Sequence, residues 1–198
     1  MTASMKSNNQ NPHSGMPTND KSSNLMTEEY ESIVASCADN DSSMGISNRH
    51  ISHAAILTKH IIRKSQSSVD ILTGSLPELF FNQIKNHLAD ALKRGIVIRI
   101  VFVNDGKVCP NLLSMVQQNK KIQVYELTSA AKAAVKNQIN HFCVSDNKRF
   151  RIEEIHPDKN FDTDPAISAT ANFNHPQEAK RLRELFDALI KFSNPVSA

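Results

Sequence analysis

Residues 96–103 read IVIRIVFV, an almost continuous run of aliphatic, mostly β-branched side chains. Such a run is typical of a central strand that other layers cover on both faces. VDILT at 69–73 predicts a strand before it, and the SLPE sequence from Ser75 predicts an N-cap and a helix that runs to Arg94, before Gly95. Strand, helix and strand in this order predict two parallel strands joined by a crossover helix.

The segments on either side continue the alternation of helices and strands. Apolar spacing predicts a helix over 48–65, and IQVYEL at 122–127 alternates as a strand does. Further helices are predicted over 111–119, 129–136 and from the NHPQ sequence at Asn174 to Phe192. We therefore expect an α/β fold whose mixed, largely parallel sheet is flanked by helices.

The N-terminal part has a different composition. Residues 1–26 are rich in Ser, Asn, Thr and Pro with few aliphatic side chains, which predicts a disordered tail. Residues 28–38 predict a short amphipathic helix, and residues 39–47 a polar linker. We therefore divide the chain into an acidic tail over 1–47, able to contact a protein partner, and a globular domain over 48–198.

Charge separates along the same boundary. Residues 1–47 hold two lysines against six carboxylates, and because the whole chain carries +3, residues 48–198 carry +7. A basic globular part favours anionic partners such as phosphodiester backbones, although ordinary solubility charge would give the same balance.

Several classes of protein are not expected. No run approaches the roughly 20 apolar residues of a membrane span, and the N-terminus lacks the apolar core of a secretory signal, so we expect a cytoplasmic protein. Cys37, Cys109 and Cys143 lie far apart, which argues against a structural zinc site or a disulfide framework. Five glycines without a phosphate loop argue against a nucleotide site of that kind. No cofactor or metal is expected.

Residues 140–153, NHFCVSDNKRFRIE, predict a β-hairpin around a turn at 146–148. A three-residue loop keeps the apolar side chains on one face and pairs Ser145 with Arg149. It then places Cys143 opposite Arg151, and His141 opposite Glu153. One face would thus gather a His, a Glu, two Arg and a Cys. These side chains could form a functional cluster, or they could be a solvent-exposed polar face with routine ion pairs.

Two other clusters can be interpreted in more than one way. Cys143 beside Arg151 would have the cationic neighbour that activates a thiol nucleophile, but a cysteine in a strand commonly just fills space. His53 and His60 share a helix face without a matching carboxylate, which fits a solvated face better than a metal site.

From about Ile56 to Ser193, roughly 140 residues, the chain resembles the phospholipase D-like superfamily. The segments that carry the resemblance occur in the family's order, namely VDILTG (69–74), ALKRGI (91–96), VIRIVFV (97–103), NHFCVSD (140–146), SATANFN (168–174) and LFDAL (185–189). The family signature is His-x-Lys, four residues and Asp, followed later by Gly-Ser-x-Asn. His141 matches the histidine and Asn172 the asparagine, with Thr170 at the serine, whereas Cys143 and Lys148 replace the lysine and the aspartate.

The resemblance implies a metal-independent mechanism. A histidine attacks a phosphodiester and forms a phosphohistidine, a second histidine protonates the leaving oxygen, and proteins with one motif per chain pair two motifs in a homodimer. In this chain Arg151 would stand in for the lysine, with Arg149, Thr170 and Asn172 also on the phosphate, and Glu153 would orient His141 in place of the aspartate.

Three functions follow from these residues. The first is a homodimer that binds phosphodiester backbones, most of all nucleic acid, through a degenerate site. The second is an active nuclease or phosphodiesterase with His141 as the nucleophile. The third is an assembly subunit that uses the fold for protein contacts.

Overall fold

The structure is a computed structural model that describes residues 20–103, 108–135, 138–154 and 166–196. Within these residues, eight strands form one mixed sheet in the order β1-β7-β6-β5-β2-β3-β4-β8. The strands are β1 (Ile46–His50), β2 (Ser68–Thr73), β3 (Val97–Phe102), β4 (Ile122–Leu127), β5 (Phe142–Ser145), β6 (Arg149–Glu153), β7 (Ala166–Asn172) and β8 (Ser193–Pro195). The helices are α1 (Asp20–Asp39), α2 (Ile51–Lys64), α3 (Glu78–Lys93), α4 (Pro110–Gln118), α5 (Ser129–Val135) and α6 (Pro176–Ile190).

Helices cover both faces of the sheet, as expected for an α/β fold. On one face, α1 to α4 bury Val34, Leu57, Phe81 and Leu112 against strand residues such as Ile98. On the other face, α6 packs Leu182 and Phe186 against Leu72, Val101 and Phe150. Residues 96–103 lie between these layers, and most of their side chains are buried, which is why the run is apolar on both faces.

The expectation of a largely parallel sheet is wrong in its proportions. Only β2–β3 and β3–β4 are parallel, whereas the other five described pairs are antiparallel. The reason is connection length, because a crossover helix is needed between parallel neighbours and a short turn produces an antiparallel pair. Helices α3 and α4 supply the two crossovers, and the hairpin β5–β6 adds an antiparallel half.

The structure also differs from the expected helix starts. α3 begins at Glu78, and Pro77 rather than Ser75 occupies the N-cap position, without a side-chain cap. α6 is capped by His175, whose Nδ1 accepts from the backbone N–H of Glu178 at 3.3 Å. At the other end of α3, Gly95 has a φ of +88°, as expected of a glycine that ends a helix.

The N-terminal segment packs against the rest of the fold, with α1 against α2. The disorder predicted for 1–26 falls, up to residue 19, outside the described residues, and α1 begins at Asp20. Val34 and Ala38 of α1 are fully buried in the core, and Tyr30 donates its hydroxyl to the Ser47 carbonyl at 3.1 Å. The segment expected as a polar linker includes Ile46 and Ser47, which belong to β1 and pair with β7. None of the helices in the described ranges is long and apolar enough to cross a membrane.

Candidate functional site

The predicted hairpin register is confirmed. Ser145 pairs with Arg149, Cys143 pairs with Arg151, and the N–H of Glu153 donates to the His141 carbonyl at 2.8 Å. The turn at 146–148 works because Asp146 and Asn147 adopt positive φ values of 55° and 51°, which Asp and Asn tolerate better than other non-glycine residues.

The polar face of this hairpin is buried, so the interpretation as a solvent-exposed face is wrong. Arg151 is 6% exposed and Glu153 is 7% exposed. Helix α2 packs against β5 and β6, and the edge strand β1 brings Asn48 to Arg151. Charged side chains are retained at such depth only when they are paired.

Arg151, Glu153 and His141 form a linked series of polar groups. The Arg151 guanidinium donates from Nε to Asn48 Oδ1 at 3.1 Å and from Nη2 to Glu153 Oε2 at 2.8 Å. The other carboxylate oxygen, Oε1 of Glu153, lies 3.9 Å from Nδ1 of His141. Glu153 is therefore placed between a permanent cation and an imidazole, and it fixes the orientation of the guanidinium.

These three residues line a cleft of about 650 Å³, a volume that includes open solvent at its mouth. The cleft lies at the carboxyl end of β2, where that strand has a parallel neighbour on one side and an antiparallel neighbour on the other. Open α/β sheets commonly bind ligands outside the carboxyl ends of their strands. The rest of the lining is largely apolar and comes from α2, β2, the loop before α3, α3 and β5: Ile51, Ala54, Thr58, Ile71, Leu72, Thr73, Ser75, Leu76, Pro77, Phe80, Phe142 and Cys143.

The Cys143 thiol is not activated. Burial raises the pKa of Cys143 to about 12, and the nearby Arg151 only partly opposes that shift. A thiol with such a pKa is protonated at neutral pH, and the thiolate is the nucleophilic form. Cys143 thus fits the interpretation as a small core residue.

Arg149 lies apart from His141, Arg151 and Glu153 in its contacts. Its Nη2 donates to Asp41 Oδ1 at 2.7 Å and its Nη1 to Asp146 Oδ2 at 3.1 Å. Lys148 donates to the other oxygen of Asp41 at 2.8 Å. Asp146 also accepts from the backbone N–H groups of Gln66 and Ser67, both at 2.8 Å, so this cluster joins the hairpin turn to the segment between α2 and β2.

Thr170 and Asn172 lie on the opposite face of the sheet from Arg151. In the ladder between β6 and β7, Thr170 pairs with Ile152 and Asn172 pairs with Phe150. Directly paired residues project to the same side of a sheet. Thr170 and Asn172 therefore lie on the same face as the apolar side chains of the hairpin. Asn172 donates to the Ser43 carbonyl at 2.7 Å and accepts from the Asn174 N–H at 2.8 Å, contacts that order the chain around it.

The surroundings of His53 and His60 on α2 are unlike those of metal ligands. His53 stacks on Tyr30 with ring centroids 3.8 Å apart. His60 is buried rather than solvated, and neither of its ring nitrogens has a hydrogen-bond partner in the described part of the protein. Within the described ranges, no group of three or more His, Cys, Asp or Glu side chains is placed to hold a metal ion.

Sequence reasoning missed Asn48, which holds Nε of Arg151 from the opposite edge of the sheet. The apolar spacing of 48–65 places it at the start of a helix, whereas the structure places it in β1, which pairs with β7 more than 100 residues away. Burial alternates along ISNRH, with Ile46 and Asn48 both buried. The residue types do not alternate, because Asn48 is polar, so the sequence carries no strand signal here.

The comparisons with known proteins give structural matches alone. The chain matches no family model, and no curated protein resembles it in sequence. Nuc from Salmonella typhimurium, described as a phospholipase D family member, aligns at a TM-score of 0.56 and 15% identity, over 78% of this chain and 100% of that one. NucT from Helicobacter pylori aligns at 0.58 and 12%, over 77% and 99%. TrmBL2, described as an archaeal chromatin protein with a novel mode of DNA binding, aligns at 0.54 and 13%, over 89% and 63%.

Proposed function

From the phospholipase D-like fold that this chain adopts, we propose that it binds phosphodiester groups, above all those of nucleic acid, in the cleft beside Arg151 without cleaving them. The observation that carries the proposal is the fixed guanidinium. Nε and Nη2 of Arg151 are held by Asn48 and Glu153 where the side chain borders the cleft. Arginine presents five N–H donors in a rigid fork, so it can keep these contacts and still bind a phosphate oxygen.

The signature residues support binding rather than turnover. With His141 at the histidine position, the lysine and aspartate positions hold Cys143 and Lys148. The same spacing can be placed on Asp146 as the aspartate, and then His141 stands at the lysine position and Ile139 at the histidine position. Either placement retains one of the three residues, and the loss of one electrostatic donor commonly costs about 10²–10³ in rate.

The proposal includes a homodimer and a cytoplasmic location. Proteins of this fold with one motif per chain bring two motifs together, and this chain has one candidate motif. The DNA-binding description of TrmBL2 supports a nucleic acid as ligand. A protein partner for residues 1–47 belongs to the same proposal, and the exposed side chains of Met26 and Ile33 on α1 support it.

The second candidate is an active, metal-independent phosphodiesterase. It is favoured by the 3.9 Å between Glu153 Oε1 and His141 Nδ1, because a carboxylate at this nitrogen can orient an imidazole and stabilise its charged form. In that case Arg151 would neutralise the charge that develops on the phosphate oxygens.

Incubation with single- and double-stranded DNA and RNA in EDTA, analysed for both cleavage and gel shift, separates the candidates. We expect a shift without products, and a weaker shift for Arg151→Met. His87→Ala, a substitution on α3 outside the cleft lining, is the matched control for His141→Ala. Cleavage that is lost in His141→Ala and kept in His87→Ala would replace the binding proposal by the enzyme. If the wild type gives no shift and no cleavage, the assembly role is the remaining candidate.

A further inference from the structure

The acidic N-terminal segment contacts basic side chains of the globular part. Asp39, at the end of α1, pairs with Arg63 and Lys64 at the end of α2, each at 2.9 Å. About two turns of α1 before Asp39, Glu31 forms an ion pair with Lys59. Just after α1, Asp41 pairs with Lys148 at 2.8 Å. Part of the positive charge of residues 48–198 thus faces negative charge from the same chain.

The four cations belong to two neighbouring segments, α2 and the hairpin turn. Lys59 and Arg63 are four residues apart and share a face of α2, and Lys64 follows them. Lys148 is in the hairpin turn, which Asp146 joins to the residues directly after α2 through hydrogen bonds to the Gln66 and Ser67 N–H groups. We call Lys59, Arg63, Lys64 and Lys148 the basic strip.

The carboxylate of Asp39 is bound as a phosphate would be. A single oxygen, Oδ1, contacts both Nη2 of Arg63 and Nζ of Lys64. Asp41 lies two residues on, at most about 7 Å away along the chain, and its two oxygens contact Lys148 and Arg149. Hydrogen bonds from Lys64 and Lys148 lower the pKa values of Asp39 and Asp41, so both are ionised at neutral pH. Two negative groups in series, each between two cations, have the pattern of successive phosphates on a strand.

Holding α1 in place is not sufficient reason for these pairs. The side chains of Glu31 and Asp39 are 43% and 57% exposed, and ion pairs of such exposure add little to stability. Asp39 also lies at the negative end of the dipole of α1, where a carboxylate disfavours the helix. Buried contacts of Val34 and Ala38 fix α1 independently of its charges.

We propose that the basic strip is a binding surface for the backbone of nucleic acid, and that Glu31 and Asp39 occupy it in the free protein and weaken that binding. The inference rests on the proposed function, because it presumes nucleic acid as the ligand, but it uses a surface separate from the Arg151 cleft. The acidic segment then acts as an internal competitor, which keeps affinity low until the ligand presents several phosphates at once.

The test compares two double variants that each remove two charges from α1. Glu31→Gln/Asp39→Asn frees the basic strip, and both replacements keep the size of the side chain. Glu28→Gln/Glu29→Gln changes exposed glutamates of the same helix for which the described residues show no ion pair. Asp41 is left unchanged because it also supports the buried Arg149. The probe is a fluorescein-labelled single-stranded 20-mer DNA, measured by anisotropy against the full chain at several salt concentrations.

We expect Glu31→Gln/Asp39→Asn to bind about tenfold more tightly at low salt, with a plot of log K against log salt steeper by about 1.4, the value for two more phosphates on a single strand. Adding Arg63→Gln/Lys64→Gln to that variant should remove the gain. An equal gain of affinity in Glu28→Gln/Glu29→Gln would mean a net-charge effect. No gain of affinity in Glu31→Gln/Asp39→Asn would mean that the ion pairs are purely structural. Either result overturns the inference, and in both the proposed function stands if the wild type binds. Absence of binding in every variant overturns both.

Discussion

The geometry of the site predicts that removal of Glu153 lowers the free energy of unfolding substantially. In Glu153→Leu, Arg151 loses the partner of its Nη2 while it remains 6% exposed. Arginine cannot release its proton, so the cost is that of an unpaired buried charge, about 3–5 kcal/mol. Equilibrium urea unfolding at pH 7 measures this as a lower midpoint at an unchanged slope.

Removal of Arg151 should cost less than removal of Glu153. In Arg151→Met, Glu153 can take up a proton or interact with His141, whose Nδ1 lies 3.9 Å from its carboxylate. We expect about 1–3 kcal/mol, the cost of a buried hydrogen-bonding group that loses its partner.

The double variant Arg151→Met/Glu153→Leu completes the cycle. Replacement of a buried pair by apolar groups of similar size is often close to neutral, so the double variant should be more stable than Glu153→Leu. The exposed pair of Lys93 and Asp90, at 3.0 Å, is the control, and Lys93→Met should cost under about 1 kcal/mol. A cost below about 1 kcal/mol for Glu153→Leu, or two single costs that simply add in the double variant, would show that Arg151 and Glu153 are not a coupled buried pair.

Three further predictions concern His60, the cysteines and Gly95. Burial lowers the pKa of His60 to about 4, below the value near 6.5 of an unfolded chain. The unfolded state therefore binds more protons between these pH values. The stability of the wild type should fall by on the order of 2 kcal/mol from pH 7 to pH 4.5, relative to that of His60→Leu. Equal pH profiles of the two proteins in urea unfolding would contradict this. Cys37, Cys109 and Cys143 are all buried, so a thiol reagent at pH 8 should label the native protein slowly and all three sites quickly in denaturant, whereas fast native labelling would contradict the burial. Gly95→Ala should cost about 1–2 kcal/mol, because φ at Gly95 is +88° and a Cβ there would lie 3.1 Å from Nζ of Lys121; unchanged thermal unfolding would argue against that conformation.

The hairpin and the central strands could be predicted from the sequence because their signals are local. Alternation has a period of two, so the requirement that Phe142, Val144, Phe150 and Ile152 share a face fixed the register once the turn length was chosen. Apart from Arg99, Val97–Phe102 is apolar on both faces, which is typical of a strand between two layers of helices.

The surroundings of the hairpin could not be predicted in the same way. The alternating pattern shows that His141, Arg151 and Glu153 share a face, but whether that face meets solvent depends on α2 and β1, which are distant in sequence. The placement of Thr170 and Asn172 on the other face depends on the pairing of β7 with β6, and 12 residues separate these two strands in the sequence.

The packing of the N-terminal segment could not be predicted for a related reason. Residues 28–38 have an amphipathic pattern, but a pattern does not say whether the partner of its apolar side belongs to the same chain. Asp41 and Lys148 are 107 residues apart, and a contact at that separation has no local signature. The opposite charges of the two parts were visible in the sequence, yet their pairing needed the structure.

Phosphodiester binding in the Arg151 cleft can be measured by a titration with a dinucleoside monophosphate, followed by ³¹P NMR in EDTA. This ligand has a single phosphodiester, so it probes the Arg151 cleft and not a surface that needs several phosphates. We expect a saturable change of the phosphodiester resonance with the wild type, at least about tenfold weaker binding to Arg151→Met/Glu153→Leu, and no new resonance over time. Equal binding by the wild type and the double variant would contradict the assignment of the cleft, and a phosphomonoester resonance that grows with time would show a phosphodiesterase instead.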